Sequence, residues 1–109
     1  MSKTQLNRER ILEQVSAATE EPQVLKILEQ VNGLLSVSPA DTELLHARGH
    51  LYEKLQKWSE AINDYLQILS IDKNDNKAQA RTEMLKTILR YNNTDIYSSP
   101  NTNYDPWFE

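Results

Sequence analysis

Two stretches of the chain repeat one another at a spacing of 34 residues. Val24 aligns with Trp58, Ile27 with Ala61 and Val31 with Tyr65. Leu34, Leu35 and Val37 align with Ile68, Leu69 and Ile71. The polar breaks align as well: Asp41 matches Asp75, and Pro39 matches Lys73. A period of this length holds two short helices and a turn. One such unit cannot bury its own apolar face, so neighbouring units have to stack.

The apolar spacing predicts five helices and no sheet. Ser2 and Gln5 have the spacing of a capping box, and Leu6, Ile11, Leu12, Val15 and Ala18 follow at helical intervals. Pro22 opens a second helix, whose apolar surface (Val24, Leu25, Ile27, Leu28, Val31, Leu34, Leu35) is wide enough to be sandwiched between neighbours. Gly33 within it costs about 1 kcal/mol relative to Ala, which predicts a close helix crossing there. Asp41 caps a third helix from Thr42 to Leu55, with Leu44, Leu45, Leu51, Tyr52 and Leu55 inward. A turn at Gln56 and Lys57 leads to a fourth, with Trp58, Ala61, Ile62, Tyr65, Ile68 and Leu69 on one face. The fifth runs from Asn76 to Tyr91, with Ala78, Met84, Leu85, Ile88 and Leu89 as its apolar stripe and a charged opposite face, the pattern of a helix that ends a stack.

Composition closes off several functions. The chain has 109 residues, no cysteine and only two glycines. That excludes a disulfide scaffold, a thiolate zinc site and a glycine-rich phosphate loop. A net charge of −4 speaks against nucleic-acid binding, and no apolar run suggests a membrane span or a secretory signal. The expectation is a cytoplasmic protein with no cofactor.

Charge and aromatic residues are spread unevenly. No aromatic side chain precedes Tyr52, and no cation follows Arg90. After it come Tyr91, Tyr97, Tyr104, Trp107 and Phe108, with Asp95, Asp105 and Glu109. The chain therefore divides into a near-neutral helical domain, residues 1–91, and an acidic, aromatic, extended tail, residues 92–109.

Residues 42–75 resemble a tetratricopeptide repeat. Leu45, Gly49, Tyr52, Ala61, Tyr65 and Ile68 stand at that family's spacings, and Gly49-x-x-Tyr52 with Ala61-x-x-x-Tyr65 carries the specificity. Three positions depart from the pattern: Leu45 replaces a favoured Trp, Arg48 a Leu and Lys73 a Pro. Residues 8–41 resemble a degenerate unit, and residues 76–91 a half repeat or closing helix. The resemblance implies an all-α, right-handed solenoid of about two and a half helical hairpins. It also implies a protein-interaction module, an adaptor or assembly factor, that holds a peptide or partner surface in a concave groove without catalysis.

On that resemblance the groove residues are Glu43, His46, His50 and Glu53 from the third helix, with Lys54 beside them, and Lys77, Arg81 and Met84 from the fifth. Glu9, Leu12, Ser16 and Thr19 supply the first helix's share. The co-chaperone subclass clamps a carboxylate with five side chains. Lys77 and Arg81 match two of them, whereas Leu12, Ser16 and Ala47 do not match the others. His46 and His50 share a helix face at i, i+4, with Glu43 and Glu53 beside them, so the alternative is a zinc- or pH-responsive binding protein. The intervening sequence lacks the Glu of helical zinc proteases, and no Ser has an adjacent His, so an enzyme is not expected. Tyr104, Trp107 and Phe108 are candidate docking residues of the tail, on this chain, on a second copy as a homodimer, or on another protein. An exposed end of the stack is a second route to a homodimer.

Overall fold

The computed structural model describes residues 3–92, and the tail aromatics Tyr97, Tyr104, Trp107 and Phe108 lie outside these, as does Ser2. The helices are α1 (Lys3–Ala17), α2 (Glu21–Val37), α3 (Thr42–Lys54), α4 (Trp58–Ile71) and α5 (Asn76–Asn92). Among the described residues there is no strand, and no helix is long and apolar enough to cross a membrane. The expected all-α helical-hairpin repeat is what forms.

The 34-residue spacing is visible in burial. Val31 and Tyr65 are both buried, as are Leu28 and Ile62, and Val37 and Ile71 are both exposed at the ends of α2 and α4. The caps repeat too: Leu44 N donates to Asp41 Oδ1 at 3.2 Å, and Ala78 N donates to Asp75 Oδ1 at 2.9 Å. Each such cap satisfies one orphan amide and contributes about 1 kcal/mol. α2 packs on both α1 and α3, as its wide apolar surface requires.

α3 and α4 meet closely at Gly49. A Cβ there would lie 2.8 Å from Tyr65 Cζ and 3.1 Å from its hydroxyl oxygen. The ring of Tyr65 therefore lies directly on the α3 backbone. In the first unit the equivalent pair is Val15 and Val31, both buried: two medium side chains stand where the second unit has a very small one and a large one. Total volume is similar, which is what a close-packed core tolerates.

Two sequence expectations fail. Nothing lies within 4 Å of a Cβ built at Gly33, so no close crossing explains that glycine. Met84 is 38% exposed, and Thr82 takes its place in the buried stripe of α5 beside Ala78, Leu85 and Leu89. The fifth helix does differ from α3 as an end helix should. At the repeat equivalents of Leu45 and Gly49 it carries Gln79 and Glu83, both exposed.

The α3–α4 turn stores strain. Gln56 has φ 59°, in the left-handed region. Gln56 N donates to Glu53 O at 2.9 Å and Lys57 N to Tyr52 O at 2.8 Å, the paired bonds of a Schellman cap. A residue with a Cβ is disfavoured there by about 1–2 kcal/mol, less the roughly 0.5–1 kcal/mol that glycine loses in chain entropy. Gln56→Gly is expected to stabilise the fold by about 0.5–1 kcal/mol. A urea midpoint that rises with unchanged slope bears this out, and a lower midpoint contradicts it.

Candidate functional site

The first helix of each unit, α1, α3 and α5, lines one face, and polar contacts tie α3 to the other two toward each of its ends. At the N-terminal end, Asp41 and Asp75 have a second use beyond capping. Arg8 on α1 donates from Nε and Nη2 to the two Asp41 oxygens, each at 3.1 Å, and from Nη2 to Glu43 at 2.6 Å. His46 Nε2 on α3 lies 2.9 Å from Asp75 Oδ2. The guanidinium of Arg8 and the amide of Leu44 oppose the cost of burial and hold the Asp41 carboxyl below its usual range. The His46 hydrogen bond does the same for Asp75.

At the C-terminal end the ties differ in kind. Lys54 Nζ donates to the carbonyls of Val15 at 2.7 Å and Ala18 at 2.6 Å, so a cation from α3 caps the negative end of α1. On the other side, Glu53 is held by Arg81 of α5 through Nε at 3.1 Å and through Nη2. The Tyr65 hydroxyl donates to Glu53 Oε2 at 2.6 Å. Burial raises the phenol pKa, so Tyr65 remains a neutral donor.

Between these ties lies a cleft of about 430 Å³. Leu12, Val15 and Ser16 of α1 line it, with Glu43, His46, Ala47 and His50 of α3. Tyr65, Lys77 and Arg81 complete the lining. Five of the seven groove residues expected from sequence thus meet at one cleft. The other two sit beside it: Glu53 beneath Arg81, and Met84 with its sulfur 3.5 Å from Arg81 Nη1.

Each expected role changes in detail. Arg81 is neutralised by Glu53, so the Lys77 and Arg81 pair does not offer two free cations. Lys77 is exposed and pairs with no acid among the described residues. His46 points one ring nitrogen at Asp75, and its Nδ1 is buried without a hydrogen-bond partner. Among the described residues no three His, Asp or Glu side chains converge to hold a metal ion, so His46, His50 and Glu43 do not form the zinc site that their spacing allows. Lys54 serves α1 and not the groove.

A second polar link stabilises the outer face. Arg48 donates three hydrogen bonds to Asp64 of α4, at 2.7–3.1 Å, and one to Asn32 of α2 at 3.0 Å. The Asp64 side chain is 4% exposed. This explains the departure at position 48: a leucine there would leave a buried carboxylate uncompensated, which is costly. The signal was present in sequence, since Arg48 and Asp64 both interrupt otherwise apolar faces. Arg8 carried no such signal.

His50 reports the electrostatics of the cleft. Burial lowers its pKa, and Lys54, Arg81 and Lys77 lower it further, so the ring is neutral at pH 7. A lowered folded-state pKa means that stability is complete above the unfolded value near 6.5 and falls as pH drops from there through the folded pKa. The His50 ring should titrate by NMR below 6.5, and Lys77→Gln should move the midpoint upward. A midpoint at or above the ordinary value, or one indifferent to Lys77→Gln, contradicts this field.

No protein-family model matches the chain, and no solved structure matches it. The chain is similar to the human protein Tetratricopeptide repeat protein 16, with 27% identity over 70 residues, covering 64% of this chain and 8% of that protein. It thus spans a small part of the relative's length. The likeness agrees with the one carried by Gly49, Tyr52, Ala61 and Tyr65, and the helical repeat of this chain is similar to that of a tetratricopeptide repeat protein.

Proposed function

We propose that the chain is a protein-interaction module, an adaptor or assembly factor, that takes a peptide segment or partner surface into the cleft between α1, α3 and α5. One observation carries this reading. The middle first helix, α3, is tied to α1 and α5 toward both of its ends by Arg8, His46, Lys54 and Glu53, and the cleft beside these ties is left open. The likeness to a tetratricopeptide repeat protein supports it.

The cleft sets the chemistry of its ligand. Leu12, Val15 and Ala47 give an apolar base, and Lys77 stands at its edge without an acidic partner among the described residues. Neutral His50 offers a donor and an acceptor on the same face. A segment with an apolar side chain and a neighbouring carboxylate fits this set. The groups present are suited to holding a ligand: nucleophile, base and orienting group do not come together. Metal binding through His46 and His50 gains no support from the geometry, because His46 Nε2 is turned to Asp75.

Selection from a peptide library on the immobilised chain tests the reading. The selected peptides should carry an acidic residue beside apolar ones and should shift the NMR signals of Leu12, Ala47 and Lys77. Lys77→Glu should weaken their binding about tenfold, or roughly 1.4 kcal/mol, with helicity unchanged. Peptides that bind Lys77→Glu equally well, or that shift only the outer face around Pro39, Tyr52 and Gln67, contradict it.

A further inference from the structure

The lining of the cleft and the composition of residues 93–109 are complementary. Of the charged side chains that line the cleft, Glu43 is bound to Arg8 and Arg81 to Glu53, whereas Lys77 pairs with no acid among the described residues. Lys77 stands at the edge of an apolar base of Leu12, Val15 and Ala47. Residues 93–109 carry Asp95, Asp105 and Glu109 and no cation, and Trp107 and Phe108 stand between the last two acids.

We propose that Tyr104–Glu109 of this same chain occupies the cleft, so that an external peptide binds only by displacing it. This rests on the cleft being a peptide site. Reach allows it. α5 is about 25 Å long, and residues 93–107 span up to about 50 Å. A segment leaving the C-terminal end of α5 can therefore run back to Lys77, which lies in its first turn. Covalent attachment also presents the segment at an effective concentration in the millimolar range, so a weak contact is populated.

The other two clefts are poorer matches. On the outer face, the one between Pro39, Tyr52 and Gln67 contains Arg48, whose guanidinium is already bound to Asp64 and Asn32. The one between α1 and α2 is lined by Gln14, Gln23, Gln30 and Lys26 around Ala17, Ala18 and Ile27, and α5 contributes nothing to it. The cleft between α1, α3 and α5 combines an apolar base, the cation Lys77, which has no acidic partner among the described residues, and proximity to α5.

The full-length chain and its Trp107→Ala/Phe108→Ala variant should be compared by amide NMR, with circular dichroism confirming equal helicity. The double substitution is expected to shift Leu12, Ala47, His50 and Lys77. A synthetic peptide with the sequence of residues 101–109 should return those signals toward their original positions. It should bind the unsubstituted chain about tenfold more weakly, because the site is already filled. Cleft signals that ignore the double substitution overturn the proposal. So do shifts that vanish on dilution, which assign the segment to a second copy, and shifts confined to the outer face. If the cleft ignores the substitution yet responds to library-selected peptides, occupancy by the chain's own segment fails and the peptide-site reading stands. If it responds to neither, both fail.

Discussion

The ring of Tyr65 lying on the α3 backbone at Gly49 is the contact on which the rest of the arrangement depends. It is possible only because position 49 has no side chain: an added Cβ would come within 3 Å of the ring. The ring cannot simply swing aside. It is buried among neighbours, and its hydroxyl is bound to Glu53. Through Glu53 the same side chain reaches Arg81, so one tyrosine from a second helix sets the distance between two first helices. The cleft exists because that distance is fixed from beneath.

Polar contacts then decide what the cleft can offer. Burying a cation or carboxylate without a partner is costly, and each buried charge around the cleft has found one. Arg8 is paired with Asp41, Arg81 with Glu53, and Lys54 with the carbonyl end of α1. Of the cations that line the cleft, Lys77 is the one without an acidic partner among the described residues, and neutral His50 stands on the same face. Shape, the Lys77 cation and an apolar base are what the proposed peptide site has to work with.

Much of the fold was legible because it follows from periodicity. Helix ends, caps at Asp41 and Asp75, and the small–large pair of Gly49 and Tyr65 all recur at fixed offsets or fit a known spacing. That Glu43, His46, His50, Lys77 and Arg81 would share one side was legible for the same reason, since one face of a helix is set by its 3.6-residue period. What escaped depends on partners distant in sequence and not periodic. Arg8 reaches Asp41 across 33 residues, whereas His46 reaches Asp75 across 29. The caps therefore repeat, but their partners do not. Lys54 and Arg81 read as groove cations until the structure showed the carbonyls and the carboxylate that claim them. Met84 and Gly33 were misread because helical spacing says which face a residue is on. It does not say whether a neighbour covers that face.

A double-mutant cycle between Gly49→Ala and Tyr65→Leu, followed by urea unfolding, tests the central contact most directly. In the natural background the added methyl group meets the ring and costs about 1–2 kcal/mol, even after the helical preference of Ala over Gly is counted. With leucine at position 65 the ring is gone, and the same substitution should be neutral or stabilising. The predicted coupling is at least about 1 kcal/mol, well beyond the additivity error for independent sites. Two changes that simply add would mean that Tyr65 does not rest on Gly49, and that the spacing of the cleft is set elsewhere.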